Sequence, residues 1–209
     1  MPTDLDLAGH TAVVTGAGRG LGRAYALRLA ERGAAIVVNS LTDRCRVVAE
    51  EIRAAGWRAV AVEGDVAEPE TGRRLSEAAL DEFGSLEIVV NNAGRISPGR
   101  FEDLSVGQWD DLMGVHLRGA FLVTQPAWRV MRAAGYGRVI LTSSSSGLFS
   151  HQGMANYATV KAGLYGMTKA LAFEGAEFGI RTNVLLSLRA GVRGGGRRLV
   201  ARRPRAGVR

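Results

Sequence analysis

A chain of 209 residues with 46% hydrophobic and 22% charged residues is sized and composed for one well-cored domain. The net charge of +7 suggests nucleic acid as a partner, but the last 23 residues hold eight arginines and no acid. The first 186 therefore carry 19 bases against 20 acids, and a nearly neutral body with no aromatic-interleaved basic face argues against nucleic-acid binding. Cys45 is the single cysteine, so no intrachain disulfide is possible. "MPTDLDLAGH" lacks the basic and apolar regions of a signal peptide, and no apolar run is long enough to span a bilayer. A cytoplasmic enzyme without membrane contact is the expectation.

In chain order, "HTAVVTG" reads as a short β-branched strand. It feeds a helix in "RGLGRAYALRLAERGA", where Leu21, Ala24, Leu27 and Leu29 mark the apolar face before Gly33. "AIVVN", "RAVAVEGDV" and "LEIVVNNAG" are further strands, separated by helices in "DRCRVVAEEIRAAG" and "ETGRRLSEAALDEFG". A helical stretch from about Val106 to Ala134 follows. Then come a strand and loop in "GRVILTSSSSG", a long helix from Ala155, and a sixth strand in "IRTNVLL". Strands apolar on both faces, alternating with helices, predict an α/β fold: a doubly wound parallel sheet with ligands at the carboxyl ends of its strands.

Chemistry-bearing residues fall at those ends. "TGAGRGLG" (15–22) joins the first strand to its helix, where glycines permit close approach of a pyrophosphate and helix N–H groups face it. Its Gly16, Gly20 and Gly22 only approximate the general dinucleotide spacing. "GDV" ends the third strand, "NNAG" the fourth, Ser144 follows the fifth, and Tyr157 and Lys161 stand one turn apart on one helical face.

With these motifs in this order, residues 7 to 186 resemble the short-chain dehydrogenase/reductase family, including ketoacyl reductase-like and hydroxysteroid dehydrogenase-like members. The resemblance implies a Rossmann-like dinucleotide-binding domain over 1–186. Gly16, Arg19, Gly20, Leu21 and Gly22 would line the phosphates, Asp65 and Val66 would hold the adenine, and Asn92, Ala93 and Gly94 the ribose side, with Tyr157 and Lys161 also touching the cofactor. Where an acidic residue would select NAD(H), this chain has Ser40, with Arg19 and Arg44 nearby. NADP(H) is therefore favoured over NAD(H), which stays possible if Asp43 reaches the ribose.

The resemblance also implies the reaction: hydride transfer between a nicotinamide and a small carbonyl or secondary alcohol. An unperturbed phenol, with a pKa of about 10, is a poor base at neutral pH, and a nearby ammonium favours its ionised form. Tyr157 would exchange a proton with the substrate oxygen, Lys161 would assist, and Ser144 would hydrogen-bond that oxygen, with Ser145 the alternative in "SSSS". His116, in "VHLRGAF", replaces the asparagine usual in the family. It either supports Lys161 or is a hydrogen-bonded core histidine. His151 and Gln152 lie where a substrate could pass. No metal site is expected. A homo-oligomer, specifically a dimer built on the long helices around 109–134 and 155–178, is the assembly the resemblance implies.

Residues 187–209, "SLRAGVRGGGRRLVARRPRAGVR", do not continue the pattern. The family's Pro-Gly turn, substrate-covering segment and last strand are not legible there, and this Arg/Gly-rich tail reads as disordered. It is either a natural basic appendage or the product of a reading-frame change. Low turnover follows from a nicotinamide half-site open to water, and the alternative function is a catalytically inactive nucleotide-binding remnant of the family.

Overall fold

The computed structural model describes residues 6–187. Six strands form one parallel sheet in the order β3-β2-β1-β4-β5-β6. They are β1 (Thr11–Val14), β2 (Ala35–Ser40), β3 (Ala59–Glu63), β4 (Ile88–Asn91), β5 (Gly137–Ser144) and β6 (Ile180–Ser187). Pairing is in register along β1, for example Val13 with Val37 on one side and with Val89 on the other. The order reverses between β1 and β4, opening a crevice where ligands bind in doubly wound sheets.

The period of two along each strand sorts the core into two layers. Ala12, Val14, Ile36, Val38, Ile88 and Val90 face α1 (Gly20–Ala30) and α2 (Arg44–Ala54). Val13, Val37, Val89, Val139 and Leu141 face α3 (Pro69–Phe83), α5 (Gly119–Ala134) and α7 (Ala155–Gly175). Strands with apolar residues at odd and even positions are thus covered on both sides, as the sequence predicts.

Helix α1 differs in detail from its predicted face. Gly22, Ala26 and Ala30 are its buried positions, while Leu21 is 50% exposed and Ala24 is also outside. Small residues at i, i+4 and i+8 let the helix sit close over the sheet, and the leucine is left to line the crevice. The predicted helix from Val106 to Ala134 is continuous in direction but not in geometry. Helix α4 (Val106–Leu112) begins at a capping box between Ser105 and Gln108, and the chain then widens to π geometry over Met113–Arg118 before α5. A short α6 (Ser146–Phe149) occupies what reads as loop in the sequence.

Among the described residues β6 pairs only with β5, leaving Leu185 and Leu186 each more than 40% exposed at the sheet edge. The tail expected to be disordered from Ser187 starts one residue later, because Ser187 closes β6 opposite Ser144; the rest of it, and the missing covering segment, fall on 188–209, outside the described residues. Among the described residues no helix is long and apolar enough to cross a membrane.

Candidate active site

The carboxyl ends of β1 to β4 open into a groove of about 790 Å³. Its first wall is the turn from β1 into α1. Gly16 has a φ of +60°, and a Cβ there would stand 2.7 Å from the Ala93 Cα, so two loops meet at a distance only glycine permits. The contact is held by polar side chains. Thr15 Oγ1 accepts from the amides of Asn92 (3.0 Å) and Ala93 (3.1 Å), and Asn92 Nδ2 donates back to the carbonyl of Thr15 at 3.0 Å. On the other side Asn39 Nδ2 donates to the carbonyls of Val62 (3.0 Å) and Gly64 (3.1 Å), tying β2 to β3 at their ends.

All of the residues expected to hold the dinucleotide short of the catalytic pair line this groove: Gly16, Arg19, Gly20, Leu21, Gly22, Ser40, Asp65, Val66, Asn92, Ala93 and Gly94. Their local bonding separates structural from available groups. Ser40 Oγ donates to the Thr42 carbonyl and accepts from the Cys45 amide at the start of α2, so its hydroxyl is committed to the turn. Asp65 Oδ1 accepts from the Ala67 amide. Arg19 and Arg44 are exposed on the rim, and the first turn of α1 carries no acidic residue against an anion. A groove of this volume, with a helix N-terminus, cationic rim groups and open space around the Gly20 backbone, fits a dinucleotide.

The other half lies at the end of β5 and on α7. Lys161 is 4% exposed, donates from Nζ to the Thr142 carbonyl at 2.7 Å, and lies 5.5 Å from the centroid of the half-buried Tyr157 ring. The tyrosine and lysine therefore share one helical face and one space, as their spacing predicts. Ser144 is the last but buried residue of β5, its Oγ accepting from the Ser146 amide at 3.2 Å. The neighbouring Ser143 hydroxyl donates to the Lys161 carbonyl, and Ser145 follows Ser144 at the head of α6.

The π segment turns His116 into this space. Its ring meets Tyr157 edge to face, with centroids 5.7 Å apart. Nε2 lies 2.8 Å from the Arg95 carbonyl, while Nδ1 is buried without a hydrogen-bond partner. A Cβ on Gly94 would stand 2.4 Å from the His116 Cε1, so that glycine gives the imidazole its room. Burial, and the Lys161 ammonium after it, push the histidine down to about 4. Burial alone pushes the lysine down to about 8.

His151 and Gln152 line a separate groove of about 540 Å³ with Arg100 and Phe101, at the start of α7. Among the described residues no cluster of three potential metal ligands occurs.

Residues 10–187 match the model of the short chain dehydrogenase family. The chain belongs to that family. It is 43% identical over 195 residues to the peroxisomal multifunctional enzyme type 2 of Mus musculus, covering 88% of this chain and 26% of that protein. It is 43% identical over 194 residues to the hydroxyacyl-CoA dehydrogenase ChsB1 of Mycobacterium tuberculosis, covering 86% and 61%. A crystal structure of a gluconate 5-dehydrogenase from Burkholderia cenocepacia, in complex with NADP and tartrate, superposes with a TM-score of 0.83. That pair shares 34% identity, over 88% of this chain and 72% of that one. The chain thus spans about a quarter of the mouse enzyme and about three fifths of the mycobacterial one. NAD(P)-dependent hydride transfer is the chemistry of that family.

The expectation of a cytoplasmic enzyme is corrected by these relatives. The mouse, Neurospora, Dictyostelium and yeast proteins that it resembles at 38–43% identity are peroxisomal enzymes. Composition and charge do not separate the cytosol from an organelle entered through a short, receptor-read address.

Several groups of the site are absent from the sequence-based reading: Thr15 and Asn39, which brace the groove, Arg95, which contacts His116, and Thr142, which holds Lys161. Thr15 alone carried a signal, as the first residue of the glycine stretch.

Proposed function

We propose that this short-chain dehydrogenase interconverts the hydroxyl and carbonyl forms of a hydroxyacyl thioester, with NADP(H) preferred over NAD(H). Tyr157, Lys161 and Ser144 are the residues that carry the chemistry. The observation behind the site assignment is the buried Lys161 ammonium 5.5 Å from the Tyr157 ring, beside a groove sized for a dinucleotide. Identity to a hydroxyacyl-CoA dehydrogenase supports the substrate class. So does the groove at the start of α7, where the exposed Phe101 offers an apolar contact to an acyl chain beside an Arg100 that is paired with Glu102.

Bound in the large groove, the nicotinamide cofactor supplies the hydride donor or acceptor. Gly20, Gly22 and the first amides of α1 hold its phosphates, Asp65 and Val66 its adenine, and Arg19 and Arg44 pair with a 2'-phosphate by charge-assisted hydrogen bonds. Tyr157 gives its proton to the substrate oxygen in the reducing direction and takes it in the oxidising one. Lys161, a cation within a low-dielectric space, stabilises the phenolate form between those events. Ser144 donates to the same substrate oxygen and steadies its developing charge. Residues 1–187, with Ser187 closing β6, act as the dinucleotide-binding unit and 188–209 as an appendage to it, and the active form is a homo-oligomer.

Absorbance at 340 nm with NADPH and NADH over 3-ketoacyl thioesters, simple ketones and alcohols tests the proposal. Turnover of the thioesters, lost in Tyr157→Phe while NADPH still binds, is the expected result. NADPH binding without turnover of any substrate would instead mark the inactive nucleotide-binding form, and equal activity in Tyr157→Phe would refute the role of the phenol.

A further inference from the structure

The loop that leaves β4 passes beside the start of the catalytic helix, and no ladder holds it there. From Arg95 to Arg100 it is neither helix nor strand, and Pro98 removes one of its amide donors. It is pinned instead at Arg95, Ser97 and Gly99. The Arg95 carbonyl lies 2.8 Å from His116 Nε2, and the Gly99 amide donates to the Gly153 carbonyl at 3.0 Å, on the approach to α7. Between them the Ser97 carbonyl accepts from Asn156 Nδ2 at 2.9 Å, and the Ser97 hydroxyl accepts from Gln108 Nε2 at 3.2 Å. Gln108 Oε1 is in turn held by the Ser105 amide and hydroxyl at the start of α4.

Asn156 is 0% exposed and immediately precedes Tyr157. Both ends of its side-chain amide are spent on main chain. While Nδ2 holds Ser97, 59 residues away in sequence, Oδ1 accepts from the Tyr157 amide at 2.7 Å, one of the donors that the first turn of α7 leaves without a helical partner. The side chain can turn only by leaving buried polar groups bare, so it acts as a bracket between the loop and the residue that carries the phenol. The two segments it joins are also the walls of the 540 Å³ groove: Gly99, Arg100 and Phe101 on one side, His151, Gln152 and Gly153 on the other.

We infer that Asn156 is a positioning residue that sets the wall of the substrate groove in register with the Tyr157 phenol, and thereby favours substrates long enough to lean on that wall. The inference rests on the proposed roles of Tyr157 and of this groove. A small ketone is placed by Ser144 and Tyr157 alone, whereas an acyl chain reaching Phe101 is placed by the wall as well. Misplacing a reacting group by about 1 Å costs up to about a hundredfold in rate, so a wall free to drift harms the long substrate and spares the short one. Were Asn156 only a cap on α7, its loss would shift the phenol for every substrate alike.

The test compares Asn156→Ala and Asn156→Asp with the parent, each as the full chain. The aspartate keeps the volume and the acceptor for the Tyr157 amide, but presents an oxygen where the Ser97 carbonyl needs a donor, so it opens the bracket even if the alanine variant does not fold. Amide hydrogen exchange requires no turnover: the Gly99 amide should exchange about tenfold faster or more in the variants, with β4, the middle of α7 and NADPH affinity unchanged. In initial rates, kcat/KM for a long-chain 3-ketoacyl thioester should fall about tenfold further than kcat/KM for the smallest ketone the parent reduces. A folded variant whose Gly99 amide exchanges as in the parent would overturn the inference, and so would equal losses on long and short substrates. If the parent reduces nothing, the proposed activity falls by itself, and the exchange rates still decide whether Asn156 ties the loop to α7.

Discussion

Replacing Gly94 by alanine probes the packing that seats His116. The added Cβ would stand 2.4 Å from Cε1 and 3.0 Å from Nδ1 of the imidazole. Carbon atoms are comfortable at about 3.5 Å, so the ring must retreat by about 1 Å. His116 is buried and its Nε2 is held 2.8 Å from the Arg95 carbonyl, so retreat strains the π segment or breaks that bond. Overpacking of this kind costs about 1–3 kcal/mol, and a lost hydrogen bond adds about 1. In a chain of this size each kcal/mol lowers Tm by about 2–4 °C. Urea denaturation of the four proteins of a double-mutant cycle, with Gly94→Ala and His116→Ala singly and together, is the assay. In the His116→Ala background the new methyl has room, and its penalty should fall to within about 0.5 kcal/mol of zero. Equal penalties in both backgrounds would refute the steric account. Unchanged stability with weakened NADPH binding would show that the glycine serves the nucleotide instead.

Arg19→Ala combined with Arg44→Ala should raise KM for NADPH about tenfold or more while changing KM for NADH little, measured by initial rates at fixed ionic strength. His116 is held down to about 4, below its ordinary 6.5, so protonation favours the unfolded chain. Its contribution is intact above about pH 6.5 and is lost as pH falls towards 4, and His116→Asn should flatten that part of a stability-versus-pH curve. Lys161, lowered to about 8, penalises folding while it is charged. Stability should therefore rise between about pH 8 and 10.4, a rise that Lys161→Met removes, as chemical denaturation across that range would show. Leu21→Ala should leave Tm within about 2 °C but weaken NADPH binding, whereas Ala26→Leu on the buried face should cost about 1–3 kcal/mol, both read by thermal denaturation and fluorescence titration.

The fold was legible because each strand is a short β-branched run and each helix is punctuated by glycine, so the alternation survives without any knowledge of contacts. The crevice followed from the same order, since glycine-rich and asparagine-rich turns fall where strands end. What escaped the sequence has physical reasons. In α1 the apolar pattern counts leucines, but close packing over a sheet selects Gly22, Ala26 and Ala30, which carry almost no hydrophobic signal. The π segment is hidden because one widened turn leaves "MGVHLRGA" looking like ordinary helix, yet that turn aims His116. Thr142 reads as one more β-strand residue, and only the parallel pairing and the α7 crossing bring its carbonyl to Lys161. The grouping of Ser144, Tyr157 and Lys161 came from family resemblance, which spacing alone would not have supplied.

The side-chain struts at the mouth of the sheet have a further consequence. Where neighbouring strands diverge and their ladder ends, Thr15, Asn39 and Asn92 take over the bridging of main-chain groups. The crevice is thereby propped open before any guest arrives, and little conformational freedom is left to surrender when one does. Free and loaded forms should be nearly superimposable at these turns, and stabilisation by added nucleotide should follow simple mass action rather than the sigmoidal response of a site assembled on demand.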